Sequence, residues 1–551
     1  MPRHPRRSFA PVLAAIAVVL GSVPATAATT PTSTGPAAYL VRDLISGTPT
    51  SADTSSEPVH LTALGNRVVF LASEPSSGQE VWVSDGSSGG TEMLADVCPG
   101  VCSSQSRILG TQRGLVYWVG STDSGFYSDP LQLWRSDGTR AGTFPLTDPN
   151  ANNLLNQETS GFAFTGRYLF YNACAAGTGC AVWRTDGTVA GTVRVAPLTP
   201  SWNGSYVFTL VAAGERVFYT SQPSDGVTDL WVTDGSAAGT KLVKTFPLNQ
   251  YPGSLTAAGS RLFFVGSDGE EGSELWTSDG TAAGTRPLTQ FANSYPFVPP
   301  GFWASGNRLY FAADDVTHGR ELWRSDGTAA GTMRITDFGY HTPFSEYVTP
   351  DSFVDLGGKV VFVANDGLHG NQLWATSGTP ESTHPLSPLC DLAEPVCMQV
   401  RLKLVRAGNR VLFTAGDSDA QELWSTDGTA GGTRMVQDLC PAHCGGVLST
   451  LVAVPGGAVF AGREAQYPAP QSLWRSDGTA AGTRRVAAPG PDVQLLGDEG
   501  LEATAGADGR IFFAAGNLTY GQELWTSDGT ARGTRMVNDL SAPTTAPSPR
   551  S

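Results

Sequence analysis

The chain is short of charge. Only 15% of its 551 residues are Asp, Glu, Lys or Arg, against about a quarter in an ordinary globular protein. What charge remains is acidic, -15 overall, and an acidic surface repels phosphate backbones, which argues against nucleic acid as a partner. Histidine is scarce, with seven copies including His4 near the start. Beyond the first twenty residues no apolar run is long enough to span a bilayer. No cysteine precedes Cys98, which excludes a lipid-bearing cysteine near the N-terminus. Helical periodicity is missing after the N-terminal segment, so the body of the chain is expected to be all-β.

The first 27 residues read as a secretory signal peptide. Arg3, Arg6 and Arg7 form a basic start, Val12 to Leu20 is a short apolar run, and Ala25-Thr26-Ala27 is a small-residue cleavage site. Arg6-Arg7-Ser8-Phe9 is also similar to a twin-arginine signal, so either Sec or twin-arginine export is open. Loss of the three arginines would take the mature chain to near -18. Residues 28–37 then form a short linker, 38–540 the repeat region, and 541–551 a Pro/Thr/Ser-rich tail expected to be disordered. The expected location is secreted, extracellular or cell-surface, with no membrane span.

What is abundant is glycine, 65 residues, and a repeat. Ten tryptophans, Trp82, Trp134, Trp183, Trp231, Trp276, Trp323, Trp374, Trp424, Trp474 and Trp525, follow one another at steps of 45 to 52 residues. Nine are followed three residues on by an aspartate: Asp85, Asp137, Asp186, Asp234, Asp279, Asp326, Asp427, Asp477 and Asp528. The clearest copy is Glu274-Leu275-Trp276-Thr277-Ser278-Asp279-Gly280-Thr281-Ala282-Ala283-Gly284-Thr285. In the seventh copy Ser377 replaces the aspartate and Pro380-Glu381-Ser382 replaces Ala-Ala-Gly, which reads as a turn degenerated by drift. Gln132, Ala181, Asp229, Gln372 and Ser472 stand where Glu is expected, so the glutamate looks dispensable.

Each period holds about four short antiparallel strands. In the fifth, Arg261 to Gly266 and Glu274 to Thr277 are strands, and Thr285 onward begins another, clearest elsewhere as Val436 to Leu439 or Val537 to Leu540. The consecutive apolar residues Leu262 to Val265 imply a sheet covered on both faces. A small sheet covered by copies of itself is a propeller blade. The expectation is therefore an all-β propeller of ten four-stranded repeats, one large ring, with two five-bladed rings as the alternative. Leu275 and Trp276 should face opposite neighbours, the indole N–H needs a partner, Asp279 should cap its own turn, and Gly280 and Gly284 should supply positive φ. A surplus strand, Tyr39 to Leu44, could help to close the ring.

Eight cysteines fall in four close pairs, Cys98/Cys102, Cys174/Cys180, Cys390/Cys397 and Cys440/Cys444. In an exported chain these read as disulfides. A metal site would need reduced thiols converging from different repeats.

The repeat resembles the bacterial family named for the ELWxxDGT repeat, over about Ala38 to Leu540, with the best copies at Glu274 to Thr285, Glu321 to Thr332, Glu422 to Thr433 and Glu523 to Thr534. The resemblance implies an exported β-propeller and carries no assigned activity.

Chemistry is sparse. Gly86-Ser87-Ser88-Gly89-Gly90 matches the Gly-x-Ser-x-Gly of serine hydrolases without the strand-turn-helix that motif needs. His318 and His369 share one loop position. Acidic loops, Asp268/Glu270/Glu271, Asp314/Asp315, Asp366 and Asp417/Asp419, could converge as a cation site or as the paired carboxylates of a polysaccharide hydrolase or lyase. The sequence assigns no catalytic, metal-binding or cofactor-binding residue. It points to a non-enzymatic scaffold whose variable loops bind a glycan, envelope component or extracellular protein, with a polysaccharide-cleaving enzyme or a structural surface protein as alternatives.

Overall fold

A computed structural model describes residues 55–122, 131–148, 161–175, 179–195, 207–224, 227–247, 252–267, 273–291, 297–314, 317–338, 353–366, 371–386, 399–400, 403–416, 421–440, 446–447, 449, 451–465, 471–487, 495, 501–517, 521–530 and 532–538. The expected signal peptide, linker, surplus strand and C-terminal tail lie outside these residues.

The described chain forms ten antiparallel sheets, each built from consecutive strands in sequence order. Nine have four strands. The eighth has five because its first strand is broken into Gln399–Val400 and Val405–Ala407, both pairing with Arg410–Gly416. Two single-turn 3-10 segments, Ser88–Gly90 and Pro380–Ser382, are the only helical elements among the described residues.

Blade 5 shows why this sequence makes a sheet. Its strands are Gly253–Ala258, Arg261–Gly266, Glu274–Ser278 and Arg286–Pro287. Leu262, Phe263 and Phe264 are all fully buried, because both faces of the second strand are covered. The fourth strand starts earlier than the sequence suggested, and in blade 10 it is shorter. In blade 8 it is Arg434–Gln437 and in blade 10 Arg535–Met536, each pairing opposite the motif tryptophan. In blade 8 the chain leaves the sheet after Gln437, and the Leu439 amide turns to the Glu422 carboxylate. These outer strands are sheet edges, and Pro145, Pro287 and Pro385 sit on three of them opposite a motif tryptophan. Proline blocks further strand addition at an edge.

Ten hydrophobic cores lie between successive blades. Leu275 faces blade 6, packing with Leu309 and Phe311. Trp276 faces blade 4, packing with Phe218 and Leu230, stacked on Phe264 with Phe246 edge-on at 5.7 Å. The same division holds around the molecule, and the tenth core joins Phe512 and Leu524 of blade 10 to Trp82 and Phe70 of blade 1. A core between blades 5 and 6 and another between blades 10 and 1 make one ten-bladed ring rather than two five-bladed rings. Buried side chains of this size each stabilise by about 1.5–3 kcal/mol. First strands of neighbouring blades touch one another, which sets them innermost.

Polar contacts repeat the ring. The basic residue opening a second strand donates to the turn carbonyl of the next blade: Arg216 Nη1 to Asp279 O at 2.6 Å, Arg308 Nη1 to Ser377 O at 3.0 Å, Lys359 Nζ to Gly428 O at 2.9 Å. Arg510 of blade 10 does the same to Asp85 O of blade 1. At that joint Ser56 takes the place of a crossover. Its amide donates to Gln522 O at 3.1 Å, and Ser73 N donates to Ser56 O at 2.8 Å. Every blade is built from its own consecutive strands, and among the described residues no strand is exchanged between the ends of the ring.

Candidate functional site

Antiparallel pairing puts two kinds of connection at opposite ends of each blade. Between third and fourth strands there are seven residues in all ten blades, from Ser84–Glu92 to Ser527–Arg535. Between second and third strands the spacing runs from two residues (Ser224–Val227) to nine (Ser121–Leu131 and Gly462–Ser472). One end is invariant within the chain and the other varies from blade to blade.

The seven-residue turn is a closed hydrogen-bond unit. Asp279 Oδ1 accepts from Thr281 N at 2.9 Å and Thr281 Oγ1 at 2.7 Å, and Thr281 Oγ1 accepts from Gly284 N at 3.0 Å. Thr285 Oγ1 donates to Thr281 O at 2.7 Å and Gly280 N to Ser278 Oγ at 3.1 Å. The bonds from Thr281, hydroxyl first, hold the Asp279 carboxyl below its usual range despite partial burial. Gly280 has φ +87. Gly284 does not have the positive φ expected of it. It is glycine because a Cβ there would overlap the Asp279 carboxylate, and Gly331, Gly482 and Gly533 meet Asp326, Asp477 and Asp528 in the same way.

The seventh turn is not a degenerate copy. Ser382 occupies the glycine position, and its Oγ accepts from Ser377 N at 3.0 Å and Thr379 N at 3.1 Å. With the aspartate reduced to Ser377, space opens for a side chain opposite it, and that side chain supplies the missing acceptor. Ser87 fills the threonine position of the first turn, bonded to Asp85 Oδ1 at 2.6 Å. The Gly-x-Ser-x-Gly match is therefore a turn, with no nucleophile elbow.

The motif glutamate has a role that spacing alone did not reveal. Glu321 is buried; its Oε2 accepts from Thr336 Oγ1 at 2.5 Å and its Oε1 from Phe338 N at 2.7 Å. Glu274 accepts likewise from Thr289 Oγ1 and Phe291 N. The carboxylate pins the crossover leaving its own blade. At two of the five positions without glutamate a comparable bond is made: Gln132 Nε2 donates to Thr147 O at 2.9 Å, and Asp229 Oδ1 accepts from Thr245 Oγ1 at 2.6 Å. Fully buried Glu80 accepts from Val97 N and Cys98 N at 3.1 and 3.2 Å. Burial outweighs these bonds and raises its pKa to about 7. Burial also raises Glu422.

The Trp231 and Trp525 indoles donate to Ser221 Oγ and Ala515 O. Seven other motif tryptophans, Trp82, Trp134, Trp276, Trp323, Trp374, Trp424 and Trp474, bury an indole N–H without an acceptor among the described residues. For two of them the neighbouring strand lies close against the indole edge: at Gly266 and Gly462 even a Cβ would crowd Trp276 and Trp474.

Cys98 and Cys102 form a disulfide, Cα atoms 5.7 Å apart. Cys180 and Cys440 are disulfide-bonded as well, and Cys180 lies opposite Cys174 in its ladder. Cys390, Cys397 and Cys444 lie outside the described residues. So do His369, Asp268, Glu270, Glu271, Asp315, Asp417 and Asp419. Asp314 lies opposite Arg320 on neighbouring strands of blade 6; His318 and Asp366 are half-buried. Among the described residues no three His, Cys, Asp or Glu side chains gather to hold a metal ion, and no helix is long and apolar enough to cross a membrane.

No family model matches the chain, and no curated protein matches it. Solved structures do. The chain is similar to puromycin hydrolase at 19% identity and TM-score 0.33, over 66% of this chain and 60% of that one. It is similar to dipeptidyl peptidase 4 of Porphyromonas gingivalis at 9% and 0.44, over 76% and 64%. It is similar to the GH74 xyloglucanase of Xanthomonas campestris at 13% and 0.29, over 88% and 80%. The chain thus spans less than two thirds of the first two, and at these identities none brings an activity to it.

Proposed function

We propose that this chain is an exported, non-enzymatic propeller scaffold that binds a glycan, an envelope component or an extracellular protein, and that it belongs with the ELWxxDGT repeat proteins. One observation carries the binding reading: ten turns of identical length at one end of the blades, against loops of two to nine residues at the other. A frame that repeats while its loops diverge suits recognition, because the loops change without cost to packing. Export is supported by the basic-then-apolar start of the chain and by the disulfides.

The test is a glycan and extracellular-protein array probed with the purified mature chain, followed by loop exchange. Replacing the loop between Gly462 and Ser472 with the short one between Glu74 and Gly78 should abolish or redirect binding without a change in melting temperature. Binding that survives replacement of every second-to-third-strand loop contradicts the proposal.

A further inference from the structure

Twelve tryptophans fall within the described residues, and eleven of them sit in or against one of the ten inter-blade cores. Trp303 is the exception. It lies on the innermost strand of blade 6, two residues before the hairpin, opposite Tyr310. At the same ladder position the neighbouring blades place Thr256 and Val354. Trp303 is only half-buried. Its ring stacks on Phe353 of blade 7 at 4.4 Å and 23°. Phe353 stacks in turn on Phe362 at 5.4 Å and 10°. The indole is thus held in one orientation by a column of rings rooted in the core between blades 6 and 7.

Polar groups border this ring. Asp355, two residues beyond Phe353, accepts from Gly357 N and Gly358 N through Oδ1 at 2.7 and 3.1 Å, and Ser305 of the blade 6 hairpin lies near enough to its carboxylate to favour the charged form. Arg406 of blade 8 reaches across to Asp355 O at 2.8 Å and fixes its own Nε on Gly408 O at 3.0 Å. The Arg406 side chain is exposed. The ring that carries the part-exposed indole is therefore two residues from a carboxylate, Asp355, whose main chain is held by a guanidinium, Arg406. A pyranose ring offers the complement: an apolar C–H face for the indole and equatorial hydroxyls for carboxylate and guanidinium.

We propose that Trp303, Asp355, Ser305 and Arg406 form a subsite for one residue of a neutral polysaccharide, at the inner rim of blades 6 to 8. The site lies at the hairpin end of the blades, away from the variable loops, so it stands or falls separately from their role. The Asp355 carboxylate disfavours a uronate, which is the choice the charged control tests.

The experiment is titration calorimetry of the mature chain with cellohexaose, laminarihexaose, maltohexaose and mannohexaose, and with polygalacturonate as the charged control. At least one neutral hexaose should bind, and Trp303→Ala should weaken it by about tenfold or more, as loss of a central aromatic contact does. Trp303→Phe should retain most of the affinity. Arg406→Gln, which leaves the aromatic column intact, should also weaken binding and serves if Trp303→Ala fails to fold. Absence of binding by all four hexaoses overturns the proposal, as does binding of polygalacturonate alone. Neutral-sugar binding indifferent to both substitutions overturns it too, while leaving recognition by the variable loops in place.

Discussion

Replacing Glu80 with glutamine isolates the energetics of a buried motif carboxylate. Glu80 is fully buried and bonded to two main-chain amides, yet burial raises its pKa from 4.5 to about 7. The folded chain therefore holds this proton more tightly than the unfolded chain. Its stabilising contribution is complete below 4.5 and is lost as pH rises through about 7. A displacement of that size corresponds to about 3 kcal/mol at most. The substituted side chain keeps an amide oxygen for one of the two N–H groups and cannot ionise. Urea unfolding of both proteins between about pH 5 and about pH 8.5 should show stability curves that diverge. Relative to the parent, Glu80→Gln should gain up to about 3 kcal/mol across that range. Curves that stay parallel would refute the reasoning, because the carboxyl would then titrate alike in both states.

Other outcomes follow from the turns and joints. Gly284→Ala, forced against the Asp279 carboxylate, should cost about 1–3 kcal/mol in thermal or urea unfolding, and Asp279→Ser in the same chain should recover part of it, as the Ser377/Ser382 pair of blade 7 implies. Ser382→Ala removes an acceptor shared by two amides and should cost about 1–3 kcal/mol by the same assay. Trp82→Ala should cost about 3–5 kcal/mol and, since it empties the core joining blades 10 and 1, should broaden the scattering profile more than Trp276→Ala does. Reducing the five-residue loop closed by Cys98 and Cys102 should lower stability by about 2 kcal/mol, read by melting with and without reductant.

The blade was legible in the sequence because its determinants are local and repeated. Leu275 and Trp276 alternate across a strand, so their division between two neighbours follows from strand geometry alone. Asp279 caps a turn that begins at its own residue. The relation of Asp279 to Gly284 was not legible. A glycine kept for positive φ and one kept to clear a carboxylate look the same in one chain, and only the compensating Ser377 and Ser382 tell them apart. The Glu274 and Arg216 bonds were hidden for another reason: their partners, Phe291 and Asp279, become neighbours only once crossover and ring are formed. Trp303 was passed over because it falls outside the period, which is the property that now sets it apart.

The joint between blades 10 and 1 brings together residues far apart in sequence, yet its core and its arginine bond match those of the other joints. Where the backbone starts and stops is therefore incidental to the architecture. A gene spliced so that its product begins at blade 4 and finishes at blade 3, with residues 538 and 55 bridged by a few glycines, should assemble into the same wheel.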